Sequence, residues 1–472
     1  MNQEANDTLR IRRPSPYLRQ VKVPGGALTY HSLFGNLSFL DQELTQLLAT
    51  AEREEVADLL PESLRQLLYN KYFITDVAED EREVTRQWLR QRESAISSGY
   101  YLRALQISAS NACNFSCSYC FADATDRRRR ELGDGTRSIS LELAQRAILT
   151  LEETAARNGH HQIAVKFLGR EPLVNWRVID QLLRANRGKE IVWALTTNGS
   201  LVTAEIAEEL CKHAARVVVS IDGEPWVHNS LRVLKSGRTG SFEQAWRGLE
   251  LLSMAGCSVS VSSVVTSLTR FEDLRRFIDR LAGRNIRELE LTLVMQTVHG
   301  RAQEGSPSIE ELSRQLVQLY RYARGVGIVL HGDWVDPFHR LLLTKKLRTE
   351  TDLTTSDYGG CSATSHQISI EPSGELFPCR AMATHYGGID DLEGVLRSES
   401  YRSVLMRTYY NVPYCKDCRI EGFCQGTCLG ACEEGSNDIY LPQEAYCEVY
   451  RRCSELLLRD LDQHRNDLTF KR

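Results

Sequence analysis

Long apolar runs are the first thing this sequence lacks. No stretch of its 472 residues reaches the roughly 18 apolar residues that cross a bilayer, so no membrane partner is expected. The N-terminus as far as Arg13 is polar and has no apolar core, which excludes a secretory signal there. A strong charge of one sign is missing too. The net charge of −4 gives no reason to expect nucleic acid as a partner. The phosphate-cradling Gly-x-x-x-x-Gly-Lys-Ser/Thr loop is absent, as is a serine nucleophile elbow. Hydrophobic residues at 42% and charged residues at 25% are ordinary for a globular chain, so extended disorder is excluded. The length implies two or three domains.

Cysteine is what the sequence has in excess. There are 14, with nine between Cys361 and Cys453 and three more at Cys113, Cys117 and Cys120. Disulfide scaffolds are normally short secreted chains. A long chain without a signal is expected in a reducing, cytoplasmic compartment, where closely spaced thiols serve as metal ligands.

Local patterns divide the chain. Three short strand-like runs, 17–23, 27–33 and 36–40, are separated by turns at Gly25-Gly26 and Gly35-Asn36. Helical patterns over 42–54 and 62–69 follow, and the charged stretch 79–93 reads as a solvated linker helix. From about Leu102 strands alternate with helices. Strands are expected at 105–109, 163–168, 191–196, 216–221, 258–265, 289–295 and 328–330. Such alternation gives an α/β fold with parallel strands, and about six units give a partial (β/α)6 barrel rather than a complete one. The chemistry then belongs on loops after the strand C-termini. The tail from about Ser356 is irregular and cysteine-rich, with too little apolar content for a core of its own, and is expected to fold around metal.

The loop Asn111-Ala112-Cys113-Asn114-Phe115-Ser116-Cys117-Ser118-Tyr119-Cys120 follows the first strand of the alternating region. Three thiolates converging from one loop suit an iron–sulfur cluster with one open iron, whereas zinc calls for a fourth ligand from elsewhere. This spacing resembles the radical S-adenosylmethionine enzymes. The resemblance implies that the open iron chelates S-adenosylmethionine, which is cleaved reductively to a 5′-deoxyadenosyl radical that abstracts hydrogen from substrate. It implies Tyr119 beside the adenine. Gly169-Arg170-Glu171-Pro172 resembles the family's Gly-Gly-Glu-Pro segment, which binds the methionine amino group, with Arg170 replacing the second glycine. The resemblance assigns Gly169, Glu171, Thr197 and Asn198 to the cofactor. It adds Ser220 and Arg232, from a Ser-x-Asp-Gly segment and the residues after it, as partners of its ribose or carboxylate.

Cys361, Cys379, Cys415-x2-Cys418-x5-Cys424-x3-Cys428 and Cys447 resemble the SPASM domain, which carries two auxiliary four-iron clusters. A double zinc ribbon is the alternative. Carried across, the family's wiring gives Cys361, Cys379 and Cys428 to the first auxiliary cluster. It gives Cys415, Cys418, Cys424 and Cys447 to the second. Three [4Fe-4S] clusters are then implied, and the first auxiliary one is a ligand short. Either Cys432 or Asp357 completes it, or an iron stays open, where a substrate thiolate could bind. Cys211, Cys257 and Cys453 are expected to pack as small hydrophobes. Arg127-Arg128-Arg129-Arg130 is expected in a solvated loop, with contact to an acidic leader peptide as the alternative.

The N-terminal pattern resembles the winged-helix-like α+β PqqD-type element, which binds a precursor's leader peptide by β-augmentation. A generic winged-helix cap is the alternative. The expected domains are 1–95 for leader recognition, 96–335 for the radical barrel and 336–472 for the SPASM part. The resemblance implies a maturase acting on a ribosomal precursor peptide and fed electrons by a flavodoxin or ferredoxin. A carbon–sulfur or carbon–carbon crosslink is the expected product. Epimerisation, backbone excision and formylglycine formation are other outcomes within the class. A non-catalytic leader-binding protein with structural metal is the alternative outside it.

Overall fold

A computed structural model describes residues 12–50, 60–76, 79–129, 136–237, 240–294, 307–348, 361–424 and 426–463. The N-terminal part holds β1 (Arg12–Pro14), β2 (Leu18–Val23), β3 (Gly26–His31) and β4 (Gly35–Asp41). The last three form an antiparallel sheet in the order β2-β3-β4. The first turn falls at Pro24-Gly25, beside the expected Gly25-Gly26, while the second lies at residues 32–34, because Gly35 and Asn36 already belong to β4. Helices Gln42–Thr50 and Glu62–Asn70 follow, then β5 (Ile74–Asp76), which pairs with β1. Residues 51–54 of the first expected helix lie outside the described residues. Leu40, Leu48, Leu68, Phe73 and Ile74 form a small core for this part.

The charged linker is a helix, Arg82–Ile96, but it is not solvated all round. Trp88, Leu89, Arg92 and Ile96 are buried on one face. Arg92 donates to the Leu405 carbonyl at 3.0 Å and to the Thr364 carbonyl, and lies 4.4 Å over the Tyr101 ring. The apolar stripe that docks this helix is sparse, and charge composition hides it.

The alternating region contains β6 (Ala104–Ser110), β7 (Phe115–Cys117), β8 (Ile163–Gly169), β9 (Ile191–Thr197), β10 (Arg216–Ser220), β11 (Arg232–Leu234), β12 (Ser258–Val265), β13 (Glu288–Leu293) and β14 (Val329–His331). Parallel pairing runs β14-β13-β12-β10-β9-β8-β6, and the end strands β14 and β6 do not pair with each other. This is the open, partial barrel expected, six strand–helix units completed by β14. The helix Leu141–Arg157 shows why the pattern was readable. Ser140 accepts from Leu143 N at 3.1 Å as its cap, and Ala144, Ala147, Ile148, Leu151 and Ala155 are buried as its stripe.

The tail does not stand apart. β15 (Gln367–Ile370) adds in parallel to the free edge of β6, and β16 (Glu375–Phe377) and β17 (Gly387–Gly388) extend the same sheet to ten strands. Ile370, Leu376, Val404, Val449 and Leu458 belong to the same hydrophobic core as the barrel strands. The tail therefore has an apolar anchor besides any metal, because the expectation counted only its own residues. Among the described residues no helix is long and apolar enough to cross a membrane.

Candidate functional site

The first cysteine loop leaves the C-terminal end of β6 and is held by a short ribbon. β7 pairs antiparallel with β11, which sets Cys117 opposite Arg232. Ser118 N donates to the Leu231 carbonyl at 3.0 Å and Cys120 N to the Cys117 carbonyl at 3.3 Å. Phe115 N donates to Cys113 Sγ at 3.3 Å. Burial raises the Cys113 thiol and pushes Cys117 up to about 12, and the charge of Cys120 adds to both. Three thiols thus share one another's field.

The ends of β8 and β9 form a bracket beside this loop. Gly169 has φ +129, and a Cβ there would meet the Ser110 carbonyl oxygen at 2.3 Å, so only glycine allows β8 to close against β6. Glu171 is fully buried. Its Oε1 accepts from Leu173 N at 3.0 Å and from Thr197 Oγ1 at 2.7 Å, and its Oε2 accepts from Asn198 N at 2.8 Å. Burial raises its carboxyl to about 7 against those three hydrogen bonds. Asn198 Nδ2 donates to Asn114 Oδ1 at 2.9 Å and stands 3.9 Å from Cys113 Sγ. Glu171 thus ties Thr197 and Asn198 together, and Asn198 reaches Cys113.

Tyr119 and Arg232 meet on the other side of the loop, through Asp222. Arg232 makes a two-point contact with Asp222, Nε to Oδ2 at 2.9 Å and Nη2 to Oδ1 at 3.0 Å. Tyr119 Oη donates to Asp222 Oδ2, and Arg232 lies 5.4 Å over the Tyr119 ring. Asp222 also accepts from Val264 N at 3.0 Å. The Arg232 fork is thus spent on positioning Tyr119 and the ribbon. His228, whose Nδ1 accepts from Asp222 N at 3.3 Å, is lowered to about 3 by burial and by Arg232. Ser220 ends β10 opposite Ser262 and forms no side-chain hydrogen bond among the described residues.

Other charged residues here were not singled out by sequence. Lys166 of β8 lies on the opposite face from buried Val165 and Phe167. Burial lowers its ammonium, and the charge of Glu290 on β13 raises it. Strand alternation alone could have found them. The arginine run is a correction. Arg129 is buried, donating to Glu371 Oε1 at 2.5 Å and to the Cys379 carbonyl at 2.9 Å, and Arg128 reaches Glu433 at 2.8 Å. The run fastens the helix Phe121–Arg128 to the tail, so at Arg128 and Arg129 it is no solvated loop. Arg170 holds the same helix, reaching Asp123 at 2.6 Å and Asp126 at 2.9 Å.

The tail cysteines fall into two groups by mutual influence. Cys379 is pushed up to about 12 by burial and then by Cys361, and Cys428 is raised by burial with Asp333, Cys361 and Cys379 contributing. Burial pushes Cys424 to about 11 and Cys447 to about 12, with Cys418 and Cys424 among the neighbouring charges. Cys415 is raised by burial and by Cys424, Cys447 and Cys418. Buried thiols crowded in this way ionise only when a cation joins them, which fits iron–sulfur ligation. Among the described residues no three His, Cys, Asp or Glu side chains close on one metal ion. Thiolates on a four-iron cluster each take a different iron, so they converge more loosely. Cys211, Cys257 and Cys453 sit apart, their thiols turned to the carbonyls of Ala255, Ala207 and Ser313. Asp357 lies outside the described residues.

Residues 107–281 match the sequence profile of the radical SAM superfamily, and residues 361–419 match SPASM, an iron–sulfur cluster-binding domain. The chain is 26% identical over 478 residues to the radical SAM cyclopropyl synthase TigE of Paramaledivibacter caminithermalis, covering 96% of each chain. The fold is similar to that of anSMEcpe with bound AdoMet, with a TM-score of 0.63 at 20% identity, covering 78% of this chain and 96% of that one. It is also similar to Streptococcus suis SuiB bound to precursor peptide SuiA, with a TM-score of 0.55 at 18% identity, covering 93% of this chain and all of that one.

Proposed function

Starting from an enzyme chain that carries a radical S-adenosylmethionine domain and a SPASM domain, we propose that it matures a ribosomally made precursor peptide by closing a carbon–carbon bond. The observation that carries this reading is the match to a cyclopropyl synthase over 96% of both chains, N-terminal part included. A carbon–sulfur crosslink is the neighbouring outcome of the same hydrogen abstraction.

Cys113, Cys117 and Cys120 would hold the radical cluster. S-adenosylmethionine on that cluster supplies, when bound and reduced, a 5′-deoxyadenosyl radical that abstracts hydrogen. The protein's part is positioning. Glu171 ties the ends of β8 and β9 together, at Gly169 and at Thr197 and Asn198, and Asn198 reaches Cys113. Asp222 fixes Tyr119 and Arg232, and Ser220 adjoins them at the end of β10. Cys361, Cys379 and Cys428 would hold one auxiliary cluster, and Cys415, Cys418, Cys424 and Cys447 a second. The three parts 1–95, 96–335 and 336–472 would then serve leader binding, radical generation and auxiliary electron transfer. The leader adds beside β2, whose outer edge is unpaired in its sheet among the described residues. A flavodoxin- or ferredoxin-type reductase is the implied electron donor.

The test is anaerobic reconstitution with iron and sulfide, then dithionite, S-adenosylmethionine and the short peptide encoded beside the gene. The expected results are roughly 12 iron atoms per chain, 5′-deoxyadenosine, and a peptide lighter by two hydrogens. Replacing Cys113, Cys117 and Cys120 with Ala should stop 5′-deoxyadenosine formation and leave roughly eight iron atoms. A wild-type chain that makes no 5′-deoxyadenosine would falsify the radical reading. An epimerised or cleaved peptide would overturn bond closure alone.

A further inference from the structure

Ten of the 14 cysteines belong to the spacings read as cluster ligands, which leaves Cys211, Cys257, Cys432 and Cys453. Cys432 Sγ lies 3.4 Å from Thr427 Oγ1 and 3.9 Å from Arg407 Nη2. Cys453 Sγ lies 3.8 Å from the Ser313 carbonyl. Cys211 and Cys257 differ from both, because each thiol points at the segment that carries the other.

Cys211 lies in the last turn of the helix Ala204–Lys212. Cys257 lies between the helix Ser241–Met254 and β12. The turn that presents Cys257 is closed by backbone bonds from Ala255 N to the Leu251 carbonyl at 3.0 Å and from Cys257 N to the Leu252 carbonyl at 3.1 Å. After Cys211, Ala215 N donates back to the Leu210 carbonyl at 3.0 Å. The chain then enters β10, where Arg216 pairs with Ser258 of β12. That pairing sets the two turns side by side.

The thiols cross. Cys211 Sγ donates to the Ala255 carbonyl at 2.9 Å, and Cys257 Sγ donates to the Ala207 carbonyl at 3.3 Å. Ala207 is one helical turn before Cys211, on the same face. A Cβ on Gly256, next to Cys257, would stand 3.9 Å from Cys211 Sγ. Burial raises the Cys257 thiol, and Cys211 raises it further through its charge and a side-chain hydrogen bond. Both cysteines are half-buried, and Gly256 and Met254 beside them are exposed, so a small solute can reach the turn.

We propose that Cys211 and Cys257 are a redox pair, separate from the cluster cysteines, which a low-molecular-weight disulfide such as oxidised glutathione closes into an intramolecular disulfide bond. One cysteine, as thiolate, attacks the small disulfide and releases one glutathione; the other cysteine then displaces the second. The two cysteines lose two protons and two electrons and gain one S–S bond, and oxidised glutathione becomes two glutathione thiols. The protein gives up only two S–H···O contacts, which are weak. The bond fastens the outer end of a helix pair whose inner end frames the Asn198 loop. There Thr203 Oγ1 accepts from Ile206 N at 3.3 Å as the cap of the first helix, and a Cβ on Gly248 of the second would meet the Gly199 carbonyl oxygen at 2.0 Å.

The experiment incubates the reconstituted full chain anaerobically with oxidised and reduced glutathione in graded ratio. The buffer is mildly alkaline, because a raised thiol reacts slowly near neutral pH. The reaction is stopped with acid, free thiols are blocked with N-ethylmaleimide, and digested peptides are read by mass spectrometry. The expected result is a peptide pair joined through Cys211 and Cys257, in chains that run as single chains on a denaturing, non-reducing gel. The pair should grow with the share of oxidised glutathione and vanish with dithiothreitol. Cys211→Ser and Cys257→Ser should each lose it, and Cys453→Ser should keep it. If a variant does not fold, the wild-type peptide map decides by itself, whether or not the clusters survive oxidation. Both cysteines blocked by N-ethylmaleimide, or each carrying glutathione without a link, overturns the proposal. So does a bond from either one to Cys453, to a cluster cysteine or to a second chain. Amide exchange over Ala204–Lys212 should slow on oxidation in wild type and not in Cys257→Ser. A link with unchanged exchange overturns the fastening of the helix pair alone.

Discussion

Arg170 stands where the related segment has glycine, and its guanidinium reaches back to Asp123 and Asp126 in the helix after the cluster loop. Arg170→Gly should cost no more than ~1 kcal/mol, because Asp123 is mostly solvated, but it should loosen that helix. Faster amide exchange over Phe121–Arg128 checks this, and unchanged exchange refutes it. Glu171 next to it carries the sharper pH signature. Burial raises its carboxyl from 4.5 to about 7, so between those values the folded chain keeps a proton that the unfolded chain has released. The group's contribution to stability therefore falls as pH rises through that window. Glu171→Gln removes this titration, so the apoprotein's Tm should decline less between pH 4.5 and 7 in the variant. Parallel Tm profiles would show that Glu171 does not titrate there.

The decisive elements are the small ones. The ribbon β7–β11 joins the cluster loop to Arg232 across more than a hundred residues, and three-residue strands carry almost no periodicity for a sequence reader to find. The helix Arg82–Ile96 was visible as a helix but not as a docked one. Its Arg92 side chain joins the N-terminal part to the tail through two carbonyls. Arg92→Ala leaves those buried carbonyls short of a donor and should cost about 2–4 kcal/mol. Urea denaturation of the apoprotein measures it, and a loss within ~0.5 kcal/mol would mean that the helix docks by its apolar face alone.

Over the whole molecule, the tail shares one sheet and one core with the barrel. Apoprotein should therefore keep the helix Glu444–Gln463 protected from exchange, while the cysteine segments around 415–428 exchange faster than in reconstituted protein. Complete loss of protection in that helix on removing iron would restore the view that metal alone folds the tail. The sequence by itself determined the parts whose physics is local. These are the strand–helix alternation, the Ser140 cap, and the close spacing of three cysteines within a single loop. Tertiary structure alone decided which distant groups meet. It gave Arg232 to Asp222, and Arg129 to Glu371 and the Cys379 carbonyl. Those pairings depend on how β7 pairs with β11 and how β15 adds to β6. Chain order carries no signal for them, because electrostatics and burial act through space and not along the backbone.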